Sequence, residues 1–343
     1  MKAAVFHGAR NITIEEVNDP RLDGNDVLVS PQRVGVCGSD LHIFEGKWKI
    51  SVPLILGHEI SGKVVDVGQN VDRDLIGSKI IVEPAMPCGK CYWCKSGSNN
   101  YFCESRPTIG FDRDGAMANF VKVPLKGIHK VSQELSYSEA AFVEPLACVI
   151  RGIDNAKPRA GESVLILGSG PIGLMFTQLL SRYPISRIIA IDLDQRRLEM
   201  ASKLGADDIV QSSSNVETEI SKLTCGRGPD LVIEAIGSPA TGELAMKVVK
   251  RGGRIIFFGV HPMDARMQID PFDAFYTKEV EIKGSFCSPL GTFPRAVNLI
   301  ESGRIEIESF VSGEYPLNET ARAFETLEDK RHGPIKVMIK PNE

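Results

Sequence analysis

The sequence predicts an α/β protein in two parts, a β-rich half resembling an irregular barrel and a doubly wound parallel sheet. Three observations point there. A chain of 343 residues exceeds what one hydrophobic core ordinarily serves, so two domains are expected. Up to about residue 150, short apolar runs are broken repeatedly by Gly, Pro, Asn and Asp, the pattern of many short strands. From about Ala156 to Gly161 onward, buried-strand runs alternate with runs of helical spacing, the pattern of βαβ units.

In order, the first half offers the strand-like segments KAAVF, DVLVSPQRV, EISGKVVDVG, SKIIVEP and FVKVP. The second half opens with SVLILG and the helix-like PIGLMFTQLLSRY. It continues through RIIAID, QRRLEMASKLG, DIV, VETEISKLT, DLVIEAIG, ATGELAMKVVK and GRIIFFG. Beyond about residue 288 come a helical PRAVNLIESG, an acidic helical NETARAFETLED and a strand-like PIKVMIK that can return to the first domain. The expected boundaries are therefore 1–152 with 288–343 for the β-rich domain and 153–287 for the parallel sheet.

Composition narrows the function. Hydrophobic residues at 43% and charged residues at 24% are those of an ordinary soluble globular protein. A net charge of −4 attracts neither nucleic acid nor an anionic membrane, so neither is an expected partner and small-molecule chemistry is favoured. The N-terminal stretch lacks the apolar core of a signal peptide, and no run of eighteen apolar residues follows, which predicts a cytoplasmic protein. Four of the eight cysteines fall in one short segment, which favours metal binding over disulfides.

Gly168-Ser169-Gly170-Pro171-Ile172-Gly173 follows a predicted strand and opens a predicted helix, the context the G-x-G-x-x-G dinucleotide fingerprint requires. Gly168 permits the tight turn, Gly170 lets the backbone approach a pyrophosphate, and Gly173 lets the helix pack near the strand. Asp192 ends the next predicted strand, nineteen residues after Gly173. A carboxylate there accepts from two ribose hydroxyls and repels a 2′-phosphate, so NAD is favoured over NADP. Arg196 and Arg197 suit either a phosphate clamp or a solvated helix face, and Arg197 is counted with the cofactor set.

Cys88, Cys91, Cys94 and Cys103 place four thiols within sixteen residues. Such spacing lets four thiolates complete a closed, structural zinc site. A dispersed set consists of Cys37 in VGVCGSDLH, His58 in LGHE and Glu144 in FVEPLAC. Mixed Cys, His and carboxylate ligands with a position to spare are what a catalytic zinc uses. Singly, a buried cysteine or histidine is more often structural.

Taken together, VGVCGSDLH, the GHE triplet, CGKCYWC with a further cysteine, EPLAC and GSGPIG stand in the order seen in zinc-containing medium-chain dehydrogenases. The chain resembles that family over nearly its whole length, and most closely its polyol (sorbitol) and threonine dehydrogenase branch, which has Glu-Pro where liver-type alcohol dehydrogenases have cysteine. The resemblance implies a GroES-like catalytic domain, a Rossmann domain and a homotetramer, with a dimer as the alternative. It implies hydride transfer between a secondary alcohol or polyol and NAD, with catalytic and structural zinc ions. It makes Cys37 and His58 ligands, with Glu59 and Glu144 competing for the carboxylate role. Asp40 resembles the carboxylate that orients the zinc-binding histidine, and Ser39 and His42 resemble a proton relay.

Two departures stand out. Eight residues separate Cys94 from Cys103 where the family usually has seven, an increment a loop absorbs at little cost. Phe286-Cys287-Ser288 stands where sorbitol-like enzymes tend to carry an Arg-Tyr pair. Substrate selectivity is then expected from loops near Phe44, Trp48, Phe111 and the 286–293 segment, although Trp48 and Phe111 also suit ordinary packing. The alternatives are amino-alcohol oxidation of the threonine dehydrogenase type and, from another class, a non-catalytic NAD-binding protein.

Overall fold

A computed structural model describes residues 1–96, 100–288, 291–329 and 333–343. The chain divides into two compact units, one formed by Met1–Ala147 with Ser288–Glu343 and the other by Cys148–Cys287.

The first unit is built on a long strand, Asp26–Gly35, whose buried positions include Val27, Val29 and Val34. One edge of it pairs antiparallel with Glu59–Val67. The other edge is shared, by Val121–Pro124 at Asp26–Val29 and by Lys336–Lys340 at Val34 and Gly35. Lys336–Lys340 also pairs with Val311–Pro316, in parallel. A separate three-stranded sheet places Lys2–Gly8 between Asn11–Glu16 and Leu54–Ile55. The core joins the two, with Phe6, Ile43, Phe44, Ile60 and Phe324 among its buried members. At the carboxyl end of the long strand, Gly35 lies opposite Glu59 on one edge and opposite Met338 on the other.

The second unit is a six-stranded parallel sheet in the order Asp208–Gln211, Arg187–Asp192, Ser163–Leu167, Leu231–Glu234, Arg254–Phe257, Glu281–Gly284. The central strands read SVLIL, RIIAID and LVIE and are buried almost throughout, as strands covered by helices on both faces must be. The order runs outward both ways from Ser163–Leu167, and ligands bind at the carboxyl ends of strands flanking such a reversal. Among the described residues, no helix is long and apolar enough to cross a membrane.

At the other end of this sheet, Arg254 donates to both Glu162 oxygens, at 2.9 and 2.6 Å. Asp230 pairs with Lys250 and accepts from the Ser163 amide and hydroxyl. Burial pushes both carboxyls up, but the Arg254 pair holds Glu162 below its ordinary 4.5, and Lys250 with Ser163 holds Asp230 below 3.8. Groups depressed in the folded state stabilise it above their unfolded values, and that contribution is lost as pH falls through the folded ones. The thermal midpoint is therefore expected to drop between about pH 5 and about pH 3, and Glu162→Gln to shrink that drop in calorimetry.

Candidate active site

Cys37 caps the amino end of a short helix, Gly38–Phe44, and its backbone N–H donates to Asp40 Oδ2 at 3.0 Å. The other oxygen of that carboxylate, Oδ1, lies 3.2 Å from His58 Nδ1. Asp40 is fully buried and His58 nearly so. One carboxylate thus fixes the loop carrying the thiol and the orientation of the imidazole, leaving Nε2 as the ring's remaining ligand atom. Phe111 packs on the His58 ring at 4.8 Å between centroids, and Trp48 on Phe111 at 5.6 Å.

Ligand atoms of Cys37, His58 and Glu59 all lie within 4.8 Å of one another. Glu59 belongs to the group and Glu144 does not; Glu144 sits in the first turn of the Val143–Ala156 helix. Phe44 also departs from expectation: it is buried against Phe324 at 4.9 Å and belongs to the core. Of the 286–293 segment, 289 and 290 lie outside the described residues.

The electrostatics of the group fit a divalent cation. Burial disfavours a charged His58, yet Asp40 and the Cys37 thiol outweigh it and hold the imidazole well above its ordinary value. Lys336, fully enclosed and in contact with Glu59, is likewise held up against burial by Glu59, Cys37 and Asp40. The Cys37 thiol and the Asp40 and Glu59 carboxylates thus gather around two buried cationic groups, the His58 imidazole and the Lys336 ammonium. Glu59 Oε1 is buried without a hydrogen-bond donor. A metal dication at this thiol, imidazole and carboxylate would replace the acidic protons on His58 and Cys37, as metal binding to such ligands does. No sequence motif marks Lys336 as part of this group.

The four-thiol group is also assembled: the sulfurs of Cys88, Cys91, Cys94 and Cys103 lie within 4.8 Å of one another. The longer spacing before Cys103 is accommodated. Backbone N–H groups of Lys90 and Cys91 donate to Cys88 Sγ at 3.5 and 3.4 Å, and that of Cys88 donates to Cys103 Sγ at 3.2 Å. The amides of Lys90 and Cys91 bring the Cys88 thiol down to about 6, stabilising the thiolate that a metal needs.

In the second unit the glycine loop is shaped as the fingerprint requires. Gly168 has φ of +100°, and a Cβ on Gly173 would lie 1.8 Å from the Gly168 carbonyl oxygen. A Cβ on Gly170 would meet nothing within 4 Å; Gly170 caps the Pro171–Leu180 helix, with Pro171 and Ile172 in its first turn. Asp192 accepts from the Ser169 N–H at 2.7 Å and the Asp194 N–H at 2.9 Å. Asp194 in turn binds Arg196 Nη2 at 2.7 Å and lies 3.9 Å from Arg197 Nε.

A family model for the alcohol dehydrogenase GroES-like domain matches residues 23–133, and one for zinc-binding dehydrogenases matches residues 171–302. The sorbitol dehydrogenase of Bacillus subtilis (strain 168) is 33% identical over 347 aligned positions, covering 100% of this chain and 98% of that protein. The chain belongs to the zinc-containing medium-chain dehydrogenase family. Within it, this dehydrogenase sits in the polyol branch: D-xylulose reductase A of Aspergillus oryzae is 32% identical over 98% of this chain and 95% of that protein. In three dimensions the dehydrogenase is similar to a zinc-binding dehydrogenase of Sinorhizobium meliloti 1021 solved with NADP. The TM-score is 0.92 at 32% identity, with 99% of each chain covered. Both predicted domain types, GroES-like and Rossmann, are thereby established for it.

Proposed function

We propose that this enzyme oxidises a secondary hydroxyl of a polyol with NAD, using zinc at Cys37, His58 and Glu59. The observation that carries the reading is the convergence of thiol, imidazole and carboxylate ligand atoms within 4.8 Å, with Asp40 behind the imidazole. Zinc held there supplies a Lewis acid that eases ionisation of the substrate hydroxyl. Ser39 and His42, which lie on one helix with Asp40, would relay the hydroxyl proton to solvent by way of the cofactor ribose; His42 Nδ1 is 3.8 Å from Glu45. NAD, when bound, would supply the hydride acceptor for the carbinol carbon, with a ketone and NADH as products. A second zinc at Cys88, Cys91, Cys94 and Cys103 serves structure alone, since four thiolates leave no open position.

The glycine loop with Pro171 and Ile172 would hold the cofactor's pyrophosphate at the helix N-terminus. The choice of NAD over NADP rests on Asp192, a carboxylate placed where a 2′-phosphate would be repelled. Arg196 and Arg197 lie on the helix Gln195–Lys203, and their charges are engaged by Asp194 rather than gathered as a phosphate clamp. Asp192→Ala is expected to reduce the NAD-over-NADP ratio of kcat/KM by about tenfold or more. An unchanged ratio in steady-state assays would remove Asp192 from that role.

A homo-oligomer, tetrameric or dimeric, belongs to the same reading. It is supported by the large exposed apolar side chains Met263, Phe272 and Tyr276 on the second unit, since such exposure marks interaction surfaces. The substrate class is tested by following NADH formation with a panel of polyols and with L-threonine. Faster turnover of threonine, or no turnover of any polyol, overturns the proposal.

A further inference from the structure

Lys336 is 4% exposed, and an ammonium is rarely taken so far from water without a specific partner. Its Nζ contacts Glu59 Oε2, and it also lies 5.8 Å from the Phe142 ring centroid. The pair occupies space that the backbone has cleared. Gly35 faces Glu59 across one strand edge and Met338 across the other. A Cβ there would lie only 2.0 Å from Glu59 Oε2 and 2.9 Å from Lys336 Cε. The Val36 N–H donates to the Val337 carbonyl at 3.0 Å, so the strand carrying Lys336 is anchored directly beside Cys37. The carboxylate is therefore held by one oxygen, while Oε1 has no donor and remains available within the ligand group.

We infer that Lys336 is a positioning residue that restrains Glu59 by one oxygen, so that Glu59, the third ligand, serves the zinc as a restrained, partly neutralised carboxylate rather than with its full negative charge. The inference rests on the zinc site proposed at Cys37, His58 and Glu59 and deepens it. The ammonium competes with the metal for the same carboxylate and repels the metal through the low-dielectric interior. Without it, Glu59 binds the cation with its whole charge, zinc leaves more slowly, and the metal's capacity to polarise a hydroxyl declines.

Lys336→Met keeps the side-chain length and removes the charge. In the purified holoenzyme, zinc transfer from the Cys37 site to a chromogenic chelator is expected to slow by about tenfold or more, with kcat falling by a similar factor. The rise in thermal midpoint on zinc loading should also grow, because only the apo form leaves Glu59 uncompensated. Lys336→Arg should restore all three readouts. The double variant Glu59→Gln with Lys336→Met should release zinc at least as fast as the wild type.

A merely structural lysine predicts the reverse, with faster zinc loss in Lys336→Met. That result, an unchanged release rate, or no rescue by arginine overturns the inference while leaving the zinc site intact. A wild-type protein holding zinc only at the four-thiol group overturns the functional reading and this inference with it.

Discussion

Replacing Cys37 with serine is expected to lower kcat/KM for polyol oxidation by roughly a thousandfold or more, the scale of transition-state stabilisation a Lewis-acid metal supplies. A serine hydroxyl does not ionise at neutral pH, so the site loses the anionic ligand at the N-cap of Gly38–Phe44. Bound zinc should fall by about half, with the remainder on the four-thiol group. Folding is expected to survive, because the Cys37 N–H to Asp40 bond uses the backbone and serine is a favoured N-cap residue. Metal analysis beside kinetics tests both parts. Wild-type rates in a protein that had lost this zinc would end the proposed mechanism.

The second large effect separates two reasons for glycine in one loop. Gly173→Ala drives a Cβ to 1.8 Å from the Gly168 carbonyl oxygen. The helix must shift off its strand, at a cost of about 1–3 kcal/mol. Both thermal stability and NADH affinity should fall, the latter by about a hundredfold. Gly170→Ala meets no protein atom within 4 Å, so stability should remain within about 0.5 kcal/mol. Its affinity for NADH should nonetheless fall, because the added methyl occupies the place of the pyrophosphate. Fluorescence titration and thermal denaturation of the two variants make the comparison. If Gly170→Ala binds NADH like the wild type, the pyrophosphate does not approach there.

How much of this is legible in the sequence depends on how locally each feature is encoded. Cys37 and Asp40 lie within one turn of a helix, and His58 and Glu59 are neighbours, so short motifs contain most of the site. The thiol group is likewise local, with all four cysteines inside sixteen residues. The parallel sheet is legible because buried strands and amphipathic helices alternate with different periods. Lys336 is not: it reaches Glu59 only through the pairing of Lys336–Lys340 with Asp26–Gly35, and a lysine in a strand-like run ordinarily signals an exposed edge. Motif reading alone also does not choose between Glu59 and Glu144, because both are glutamates in family-like contexts; strand register sets Glu59 opposite Gly35, two residues before Cys37. Asn11–Glu16 and Val311–Pro316 escape recognition as strands because their residues are mostly exposed or half-buried, so no sharp apolar alternation marks them. The loop neighbourhood of Phe44 suggests a place near the substrate, whereas the helix turns it inward onto Phe324.

The strand that carries Lys336 also imposes an order on biosynthesis. Cys88 through Cys103 emerge from the ribosome within one short stretch, so that cluster can capture its metal early. The other centre draws one of its charges from a residue about 300 positions after Cys37, with the entire cofactor-binding unit translated in between. Until Lys336–Lys340 zips onto Asp26–Gly35, Glu59 has no counter-charge, and any ion captured there would meet a different ligand field from the mature one. If zinc occupies both proposed sites, correct loading at Cys37, His58 and Glu59 is expected only after translation is complete, while loading of the four-thiol group can accompany synthesis.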